Sequence, residues 1–404
     1  MRTPSQAIAE ILERIAPLEE RESVPLAQAR GRVLAASVTS DVDLPPFEKS
    51  AMDGFAVRAS SLPGADAVAL RCVGESRAGE PFAGEVPADA CVEIYTGAEL
   101  PATLDAVVMV EHSRREGETV WLEGGARAGQ HVNHKGEVLA VGREVLRPGR
   151  RLSALDLSVL AAVGCDPVPV LRRPRVSILT TGDELVPADQ TPGAGQIREG
   201  NTLYLAGAAE ALGLELLEVG IVPDEESELR ARFGRALEQG DVLITTGGVS
   251  MGKYDLVGAA FEALGVEPVL HKVAIKPGKP IWFGLAGEKP VFGLPGNPVS
   301  AMLGWAVFAK PAIEKRMGLD PLPDTSEESL RRGRWRGPSV GSHWRQQNLP
   351  VTVTQSAAGE DELWPLDWRG SADVVALTGA QAFAVVDAET TLSEGEWARY
   401  RPLL

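Results

Sequence analysis

The chain has 404 residues, 44% of them hydrophobic, and a formal net charge of −16 at pH 7. This length exceeds what one hydrophobic core usually serves, so we expect about two to four domains. The acidic excess argues against nucleic acid or an anionic membrane as a partner, because both attract basic proteins. The three cysteines, Cys72, Cys91 and Cys165, lack metal-ligand spacing and are typical of free thiols in a reducing compartment.

The N-terminal residues predict an amphipathic helix. Thr3 fits the cap, Pro4 the first helical position, and Gln6 closes a capping box. Apolar residues then recur at helical spacing over 8–15. This pattern differs from a signal peptide, and no apolar run approaches the roughly 20 residues that cross a bilayer. We therefore expect a cytoplasmic protein.

Residues 42–140 predict a β-rich domain. Short apolar runs at 68–73, 91–95 and 106–110 are separated by Gly and Pro, with little helical periodicity. A short helix capped by Ser153 is expected over 153–163. We expect 1–41 and 141–172 to form flanking segments that pack together.

Residues 173–318 predict a doubly wound α/β domain. The expected strands are 176–179, 216–222, 241–245, 268–275, 281–285 and 291–294, and the expected helices are 201–212, 225–237, 255–264 and 299–316. Alternation of buried strands and helices indicates a mainly parallel sheet covered on both faces. A polar stretch after Gly318 reads as a linker. Residues 319–404 carry five of the eight tryptophans and alternating segments, which predicts a small β domain or barrel.

Three predicted strands of the α/β domain end in glycine-containing turns. These turns are Thr180-Thr181-Gly182-Asp183-Glu184, Thr245-Thr246-Gly247-Gly248-Val249-Ser250 and Leu294-Pro295-Gly296-Asn297-Pro298. Such turns present backbone N–H groups to an anion, and ligands of parallel sheets bind at the carboxyl ends of the strands. The pattern predicts a phosphate-bearing ligand.

The second turn nearly matches a P-loop, as Gly247-x4-Gly252-Lys253. Tyr254 follows where a Ser or Thr would bind Mg²⁺, which argues against an ATPase of that type.

Charged side chains near these turns have two interpretations. One interpretation of the three lysines is a clamp for an oxyanion, and the other is a solvated strand edge; these are Lys272, Lys276 and Lys279. In an extended segment, Lys272 and Lys276 share a face. Because the lysines lie next to the glycine turns, we favour the clamp. The strand-end carboxylates are Glu184, Asp224 and Asp255. They serve either as helix caps and first-turn acids or as Mg²⁺ ligands.

Taken in order, several segments resemble the molybdopterin molybdotransferase family. The matching segments are 45–57, 95–98, 181–185, 247–252, 274–280 and 293–301. The resemblance implies an elongated four-domain homodimer with a molybdopterin-binding α/β domain. It also implies insertion of molybdate into adenylated molybdopterin, with Mg²⁺-dependent pyrophosphate cleavage and AMP release. A molybdopterin-adenylating protein and downstream molybdoenzymes would be its partners.

The resemblance assigns roles to individual residues. Catalysis is assigned to Asp53, Asp224, Asp255, Lys272 and Lys276. Metal binding is assigned to Asp224, Asp255 and Glu184. With the turns and Lys279 included, the substrate-binding set is Thr96, Thr181, Gly182, Glu184, Gly247, Gly248, Ser250, Lys279, Pro295, Gly296, Asn297, Pro298, Arg345 and Ser371. Asp53 and Thr96 would act from the partner subunit.

Two positions depart from the family pattern. Val138 stands where the family has a functional Asp, and Asn133 where it has an Arg. Water or Glu137 could substitute for the lost ligand. A non-catalytic molybdopterin carrier or scaffold is therefore the alternative, and these two positions favour it. The residues that oppose it are the retained Asp53, Asp224, Asp255 and Lys276.

Overall fold

The computed structural model describes residues 1–64, 66–248, 256–320 and 330–403. Within these ranges, no helix combines the length and apolar character needed to cross a membrane. The chain forms an α/β domain, a β-rich N-terminal part and a C-terminal barrel, as the sequence predicts. The predicted residues Ser250 and Asp255 lie outside the described ranges.

The N-terminal part is mostly β structure. Its helices are α1 (Pro4–Arg14) and α2 (Ala154–Ala162). Its strands are β1 (Arg21–Val24), β2 (Val38–Thr39), β3 (Lys49–Ser50), β4 (Gly54–Val57), β5 (Val68–Ser76), β6 (Ala90–Ile94), β7 (Ala106–Met109), β8 (Ser113–Glu116), β9 (Thr119–Leu122), β10 (Val132–Asn133), β11 (Glu144–Leu146) and β12 (Val168–Leu171). Strands β4 to β9 form one sheet in the order β7-β4-β6-β5-β9-β8.

The segment 1–41 divides between two neighbours. The capping box of α1 is present, because the Thr3 side chain accepts from the Gln6 N–H and the Gln6 side chain accepts from the Thr3 N–H. We expected this segment to pack with 141–172. Strands β1 and β2 do pair with β12 and β11, but α1 buries Ile8 and Ile11 in the core of the α/β domain.

The three cysteines are free thiols, as predicted. Two of them are not isolated: Cys72 and Cys91 lie opposite each other on the parallel pair β5 and β6, and both are buried. A hydrogen bond from the Cys91 thiol lowers the pKa of Cys72, and the same pairing together with burial raises the pKa of Cys91.

The α/β domain is a six-stranded sheet with helices on both faces. The strands between residues 175 and 294 are β13 (Arg175–Thr181), β14 (Leu185–Val186), β15 (Ile197–Arg198), β16 (Glu215–Val222), β17 (Val242–Thr246), β18 (Glu267–His271), β19 (Ile275–Lys276), β20 (Trp282–Ala286) and β21 (Lys289–Leu294). Of these, β14 and β15 pair with each other outside the six-stranded sheet, and β19 pairs with the C-terminal part. Its helices are α3 (Asn201–Leu212), α4 (Glu226–Gln239), α5 (Leu256–Ala263), α6 (Pro298–Gly304) and α7 (Lys310–Arg316). The sheet order is β16-β13-β17-β21-β20-β18, parallel from β16 to β21 and antiparallel beyond.

Most predicted elements of this domain are confirmed, and two differ. The predicted strand 268–275 ends at His271, because Lys272 adopts a left-handed φ of 68°. The chain resumes as β19, which leaves this sheet and pairs with the barrel. The predicted helix 299–316 is two α-helices joined by a π-helical turn, Trp305–Ala309.

The C-terminal part closes into a small barrel. Its strands are β22 (Arg331–Trp335), β23 (Gln346–Gln355), β24 (Asp361–Pro365), β25 (Ala382–Val386) and β26 (Trp397–Pro402). The order is β19-β23-β24-β22-β26-β25, and a further pairing of β23 with β25 completes the ring. The barrel core contains Trp335, Val351 and Leu363.

A buried ion pair joins the α/β domain to the N-terminal part. Arg172 donates to both oxygens of Asp241 at 2.8 and 3.0 Å, and the Arg175 N–H donates at 2.7 Å. Burial alone would raise the pKa of Asp241, but these hydrogen bonds outweigh it and hold the pKa below its usual value. The resulting stabilisation is complete above the unfolded pKa of about 4 and is lost as the pH falls through the lower folded pKa.

We expect Asp241→Ala to lower the free energy of unfolding by about 2 kcal/mol at pH 7, because Arg172 keeps only its more exposed partner Glu20 and the Arg175 N–H loses its acceptor. Urea denaturation followed by circular dichroism measures the change. Glu226→Ala breaks an exposed pair with Arg230 and should cost less than about 0.5 kcal/mol. Equal effects in the two variants would contradict the assignment.

Candidate active site

The three glycine-containing turns lie together at one edge of the sheet. They follow β13, β17 and β21, which are parallel neighbours and therefore end on the same side. The Gly247 N–H donates to the Leu294 carbonyl at 3.2 Å. Asn201 Nδ2 donates to Thr246 Oγ1 at 3.2 Å and to the Gly296 carbonyl at 2.8 Å. This one amide joins α3 to the second and third turns.

Two of the turn positions require glycine. A Cβ on Gly247, where φ is 81°, would lie 2.4 Å from the Thr181 carbonyl oxygen. A Cβ on Gly248, where φ is 63°, would lie 2.4 Å from Cγ2 of Val257. Both the left-handed backbone and the close contacts exclude a side chain, so the first and second turns approach each other backbone to backbone.

Two carboxylates lie beside the first turn. Asp224 Oδ1 accepts a hydrogen bond from Thr181 Oγ1 at 3.1 Å. Glu184 folds back over Gly182, where a Cβ would lie 2.6 Å from Glu184 Oε2. Among the described residues, no group of three His, Cys, Asp or Glu side chains forms a metal site. Two carboxylates nevertheless fit Mg²⁺, which takes its remaining oxygens from water and substrate.

A cleft of about 600 Å³ lies where the α/β domain meets the barrel. It gathers six of the predicted site residues: Lys276, Lys279, Pro295, Asn297, Arg345 and Ser371. In the part of the chain that the structure describes, no Asp or Glu lines this cleft. In a protein of net charge −16, the cleft is therefore a local concentration of positive charge.

Hydrogen bonds hold both walls of the cleft in place. Asn297 Nδ2 donates to Ser371 Oγ at 3.0 Å, and the Val299 N–H donates to the Ser371 carbonyl at 3.1 Å. These contacts dock a loop of the C-terminal part on the start of α6. On the other wall, Lys276 Nζ lies 3.5 Å from Gln347 Oε1, while Gln347 Nε2 donates to the Gly341 carbonyl at 2.8 Å.

Arg345 is held rigidly beside Lys276. Its Nη1 donates to the Ile275 carbonyl at 3.1 Å, and its guanidinium carbon lies 5.0 Å from the centre of the Trp344 ring. Burial lowers the pKa of Arg345 from its usual value, but an arginine remains charged at any physiological pH. Lys279 Nζ lies 5.7 Å from the same ring. The Trp344 indole therefore contacts two of the three cations that line the cleft, Arg345 and Lys279.

Three predicted residues lie neither in the cleft lining nor beside the glycine turns. Lys272 was expected to share a face with Lys276, which is wrong because the left-handed φ at Lys272 interrupts the strand. Asp53 and Thr96 lie in the β-rich domain, where the Thr96 N–H and Oγ1 both donate to Asp53 Oδ1 at 2.7 Å. These two hydrogen bonds lower the pKa of Asp53, which keeps its carboxylate charged.

The departures from the family pattern lie in the same β-rich domain. Val138 is 76% exposed and offers no ligand. Glu137, considered as a substitute, accepts a hydrogen bond from the His134 N–H at 2.9 Å. Its carboxylate is therefore already engaged locally.

Sequence reasoning missed Asn201, Gln347 and Asn348. Asn201 could have been found from its place as the first residue of a helix that opens beside a glycine turn. The two barrel residues gave no local signal, because only the pairing of β19 with β23 brings them to Lys276.

Comparison with known proteins agrees with this arrangement. Residues 2–164 match the family model described as MoeA N-terminal region (domain I and II), and residues 177–315 match the Probable molybdopterin binding domain. The curated Molybdopterin molybdenumtransferase of Haemophilus influenzae is 33% identical, over 100% of this chain and 98% of its own length. The chain belongs to the molybdopterin molybdenumtransferase family.

Other members of the molybdopterin molybdenumtransferase family are similar over nearly the full length. The Synechococcus elongatus protein of the same name is 35% identical over 95% of both chains. Two crystal structures of the molybdopterin biosynthesis MoeA protein from Pyrococcus horikoshii superpose with TM-scores of 0.85 and 0.83, at 30% and 28% identity. They cover 100% and 99% of this chain, and 99% of each structure is matched.

The glycine turns give a direct test. We expect Gly247→Ala to lower the free energy of unfolding by about 1 to 3 kcal/mol more than Gly195→Ala does. Gly195 has a similar φ of 76°, but a Cβ there meets nothing within 4 Å, so it reports backbone strain alone. Urea midpoints measure both variants, and equal destabilisation would refute the close approach of the turns.

Proposed function

We propose that this protein inserts molybdate into adenylated molybdopterin in molybdenum cofactor biosynthesis, with cleavage of the pyrophosphate and release of AMP. The observation that carries the proposal is the cationic cleft beside the glycine turns. It offers charged and neutral hydrogen-bond donors with no carboxylate in its described lining. The free thiols agree with a cytoplasmic location.

Molybdate, a tetrahedral dianion, is the substrate that fits this cleft. Lys276 and Arg345 supply positive charge side by side on the wall formed by β19 and β23, and Ser371 supplies a hydroxyl donor from the other wall. Because Trp344 and the Ile275 carbonyl fix the guanidinium, little conformational entropy is lost when it binds an oxygen. A preorganised ring of donors stabilises an oxyanion more than mobile surface lysines do.

The glycine turns fit the phosphate-bearing part of adenylated molybdopterin. Their backbones are exposed at the carboxyl edge of the sheet, the position at which proteins of this architecture bind ligands. Gly182 and Gly248 would contact the pterin phosphates through their backbone N–H groups. Gly247, whose N–H donates to the Leu294 carbonyl, and Thr181, whose hydroxyl donates to Asp224, would hold the turns in place. Pro295 to Pro298 form the boundary with the oxyanion cleft, so the dithiolene would meet molybdate there.

Asp224 and Glu184 are the described residues that would hold Mg²⁺ near the pyrophosphate. The metal would neutralise negative charge on the phosphate oxygens. The chain's own contribution is to hold both carboxylates close to the first turn, Asp224 through Thr181 and Glu184 by folding over Gly182. Asp255 belongs to the same proposed set.

Lys276 would also act on the chemical step. When an oxygen of water or molybdate attacks a phosphorus of the pyrophosphate, the bond to the bridging oxygen breaks and negative charge grows on that oxygen. A nearby ammonium group lowers the energy of that charge. Lys279 would add to the same field. Lys272 contributes less than expected from the sequence, because it does not share the face of Lys276.

A second subunit would complete the site. Asp53 and Thr96 form a rigid, charged pair in the β-rich domain and do not line the cleft. Helix α2 supports a homodimer, because it exposes Leu155 at 81% and Val159 at 38% while Leu160 is buried beneath. These two side chains lie one helical turn apart, so we assign them to the subunit contact.

We expect Lys276→Met to lower AMP release by about 100-fold or more, because it removes charge stabilisation that the reaction needs. Purified protein is mixed with adenylated molybdopterin, molybdate and Mg²⁺, and AMP is measured by chromatography. Arg235→Met, on the exposed side of α4, removes one positive charge elsewhere and should leave AMP release unchanged. Wild-type protein that binds the pterin tightly and releases no AMP would instead indicate a carrier.

We expect the double substitution of Leu155 and Val159 by Glu to halve the mass measured by light scattering, because it places charges in the subunit contact. Val375→Glu is the matched control, because Val375 is an exposed apolar residue too, at 73%, but lies on the C-terminal part. A double variant that keeps the wild-type mass would locate the contact elsewhere.

A further inference from the structure

One wall of the cleft contains a buried amide that the fold does not use. Asn348 lies on β23, lines the cleft, and is 0% exposed. Within the described residues, neither its Nδ2 nor its Oδ1 has a hydrogen-bond partner. Buried polar groups are nearly always paired, and an unpaired one destabilises the folded state. Asn348 therefore calls for an explanation.

The neighbouring amide shows that this strand can satisfy such groups. Gln347 is also buried, yet its Nε2 donates to the Gly341 carbonyl and its Oε1 faces Lys276 Nζ. The backbone of Asn348 is paired in register with Val385, so strand pairing positions the residue without help from its side chain. A leucine, which has the same branching and the same number of side-chain heavy atoms, would keep the strand and remove the unpaired groups.

We propose that Asn348 is a positioning residue for the oxyanion, with its Nδ2 donating to one oxygen. This inference rests on the proposed function of the cleft. The cations Lys276, Lys279 and Arg345 attract an anion from many directions, whereas a neutral amide on a fixed strand adds direction without charge. Asn348 thereby selects one orientation of the tetrahedral anion beside Ser371.

The test measures sodium molybdate binding to the full-length protein by calorimetry, together with the melting temperature. For Asn348→Leu we expect binding about fivefold weaker, the loss of one neutral hydrogen bond. We also expect an unchanged or higher melting temperature, because the unpaired amide is gone. A merely structural amide predicts the opposite pair, unchanged binding with a lower melting temperature, and that result would overturn the proposal.

A carboxylate at position 348 tests whether the hydrogen-bond donor, and not the size of the side chain, determines molybdate binding. Asn348→Asp keeps the size of the side chain and replaces the donor with an acceptor, so molybdate binding should fall more than tenfold. Inorganic phosphate, which carries a proton at neutral pH that a carboxylate accepts, should lose less. Equal losses for the two anions would contradict a directed hydrogen bond. Gln355→Leu, at the exposed end of the same strand, is the control and should change neither value.

Lys276→Met distinguishes a failure of the oxyanion cleft assignment from a failure of the role proposed for Asn348. If it abolishes molybdate binding while Asn348→Leu binds like the wild type, the oxyanion cleft stands and the role of Asn348 is refuted. If both variants bind molybdate as the wild type does, or the wild type does not bind it, the cleft assignment and the role of Asn348 both fail.

Discussion

The candidate site depends on one short strand pairing, in which Ile275 and Lys276 of β19 pair with Gln346 and Gln347 of β23. This pairing takes the chain out of the α/β sheet and adds it to the barrel as an edge strand. Lys276 is thereby placed beside Arg345, whose Nη1 donates to the Ile275 carbonyl, and the cleft forms where the α/β domain meets the barrel. The second contact across this joint, between Asn297 and Ser371, sets the distance of the opposite wall. A cleft held on both sides by hydrogen bonds is preorganised for its ligand.

The charge distribution follows from this construction. The chain is strongly acidic overall, yet lysine and arginine side chains are concentrated where the α/β domain meets the barrel. The carboxylates lie at the neighbouring glycine turn. Asp224 and Glu184 lie by the first glycine turn, next to the positive cleft. A ligand with one end bound by cations and another neutralised through carboxylate-held metal matches this polarity. This local separation of positive and negative charge also shows why the net charge of a protein says little about which anion it binds.

Much of the fold could be predicted because its signals are local. Helix α3 begins at Asn201 and ends at Leu212 as expected, since Gly213 adopts the left-handed conformation that ends helices. The three turns were found from glycines that follow apolar strands. Lys272 was placed wrongly because a single left-handed residue is invisible in a pattern of alternating side chains. The meeting of Lys276 with Arg345, and the burial of Asn348, depend on contacts about 70 residues apart and could not be read from local sequence.

The division of the cleft between two folding units limits how such an enzyme can be shortened. A fragment reduced to the α/β unit would retain the glycine turns and two lysines but lack the guanidinium, the serine and the buried amide. Under the proposed function, loss of the barrel by truncation would leave a unit that keeps the glycine turns but not the complete oxyanion cleft. A shortened relative would then need the missing arginine, serine and amide contacts from another chain.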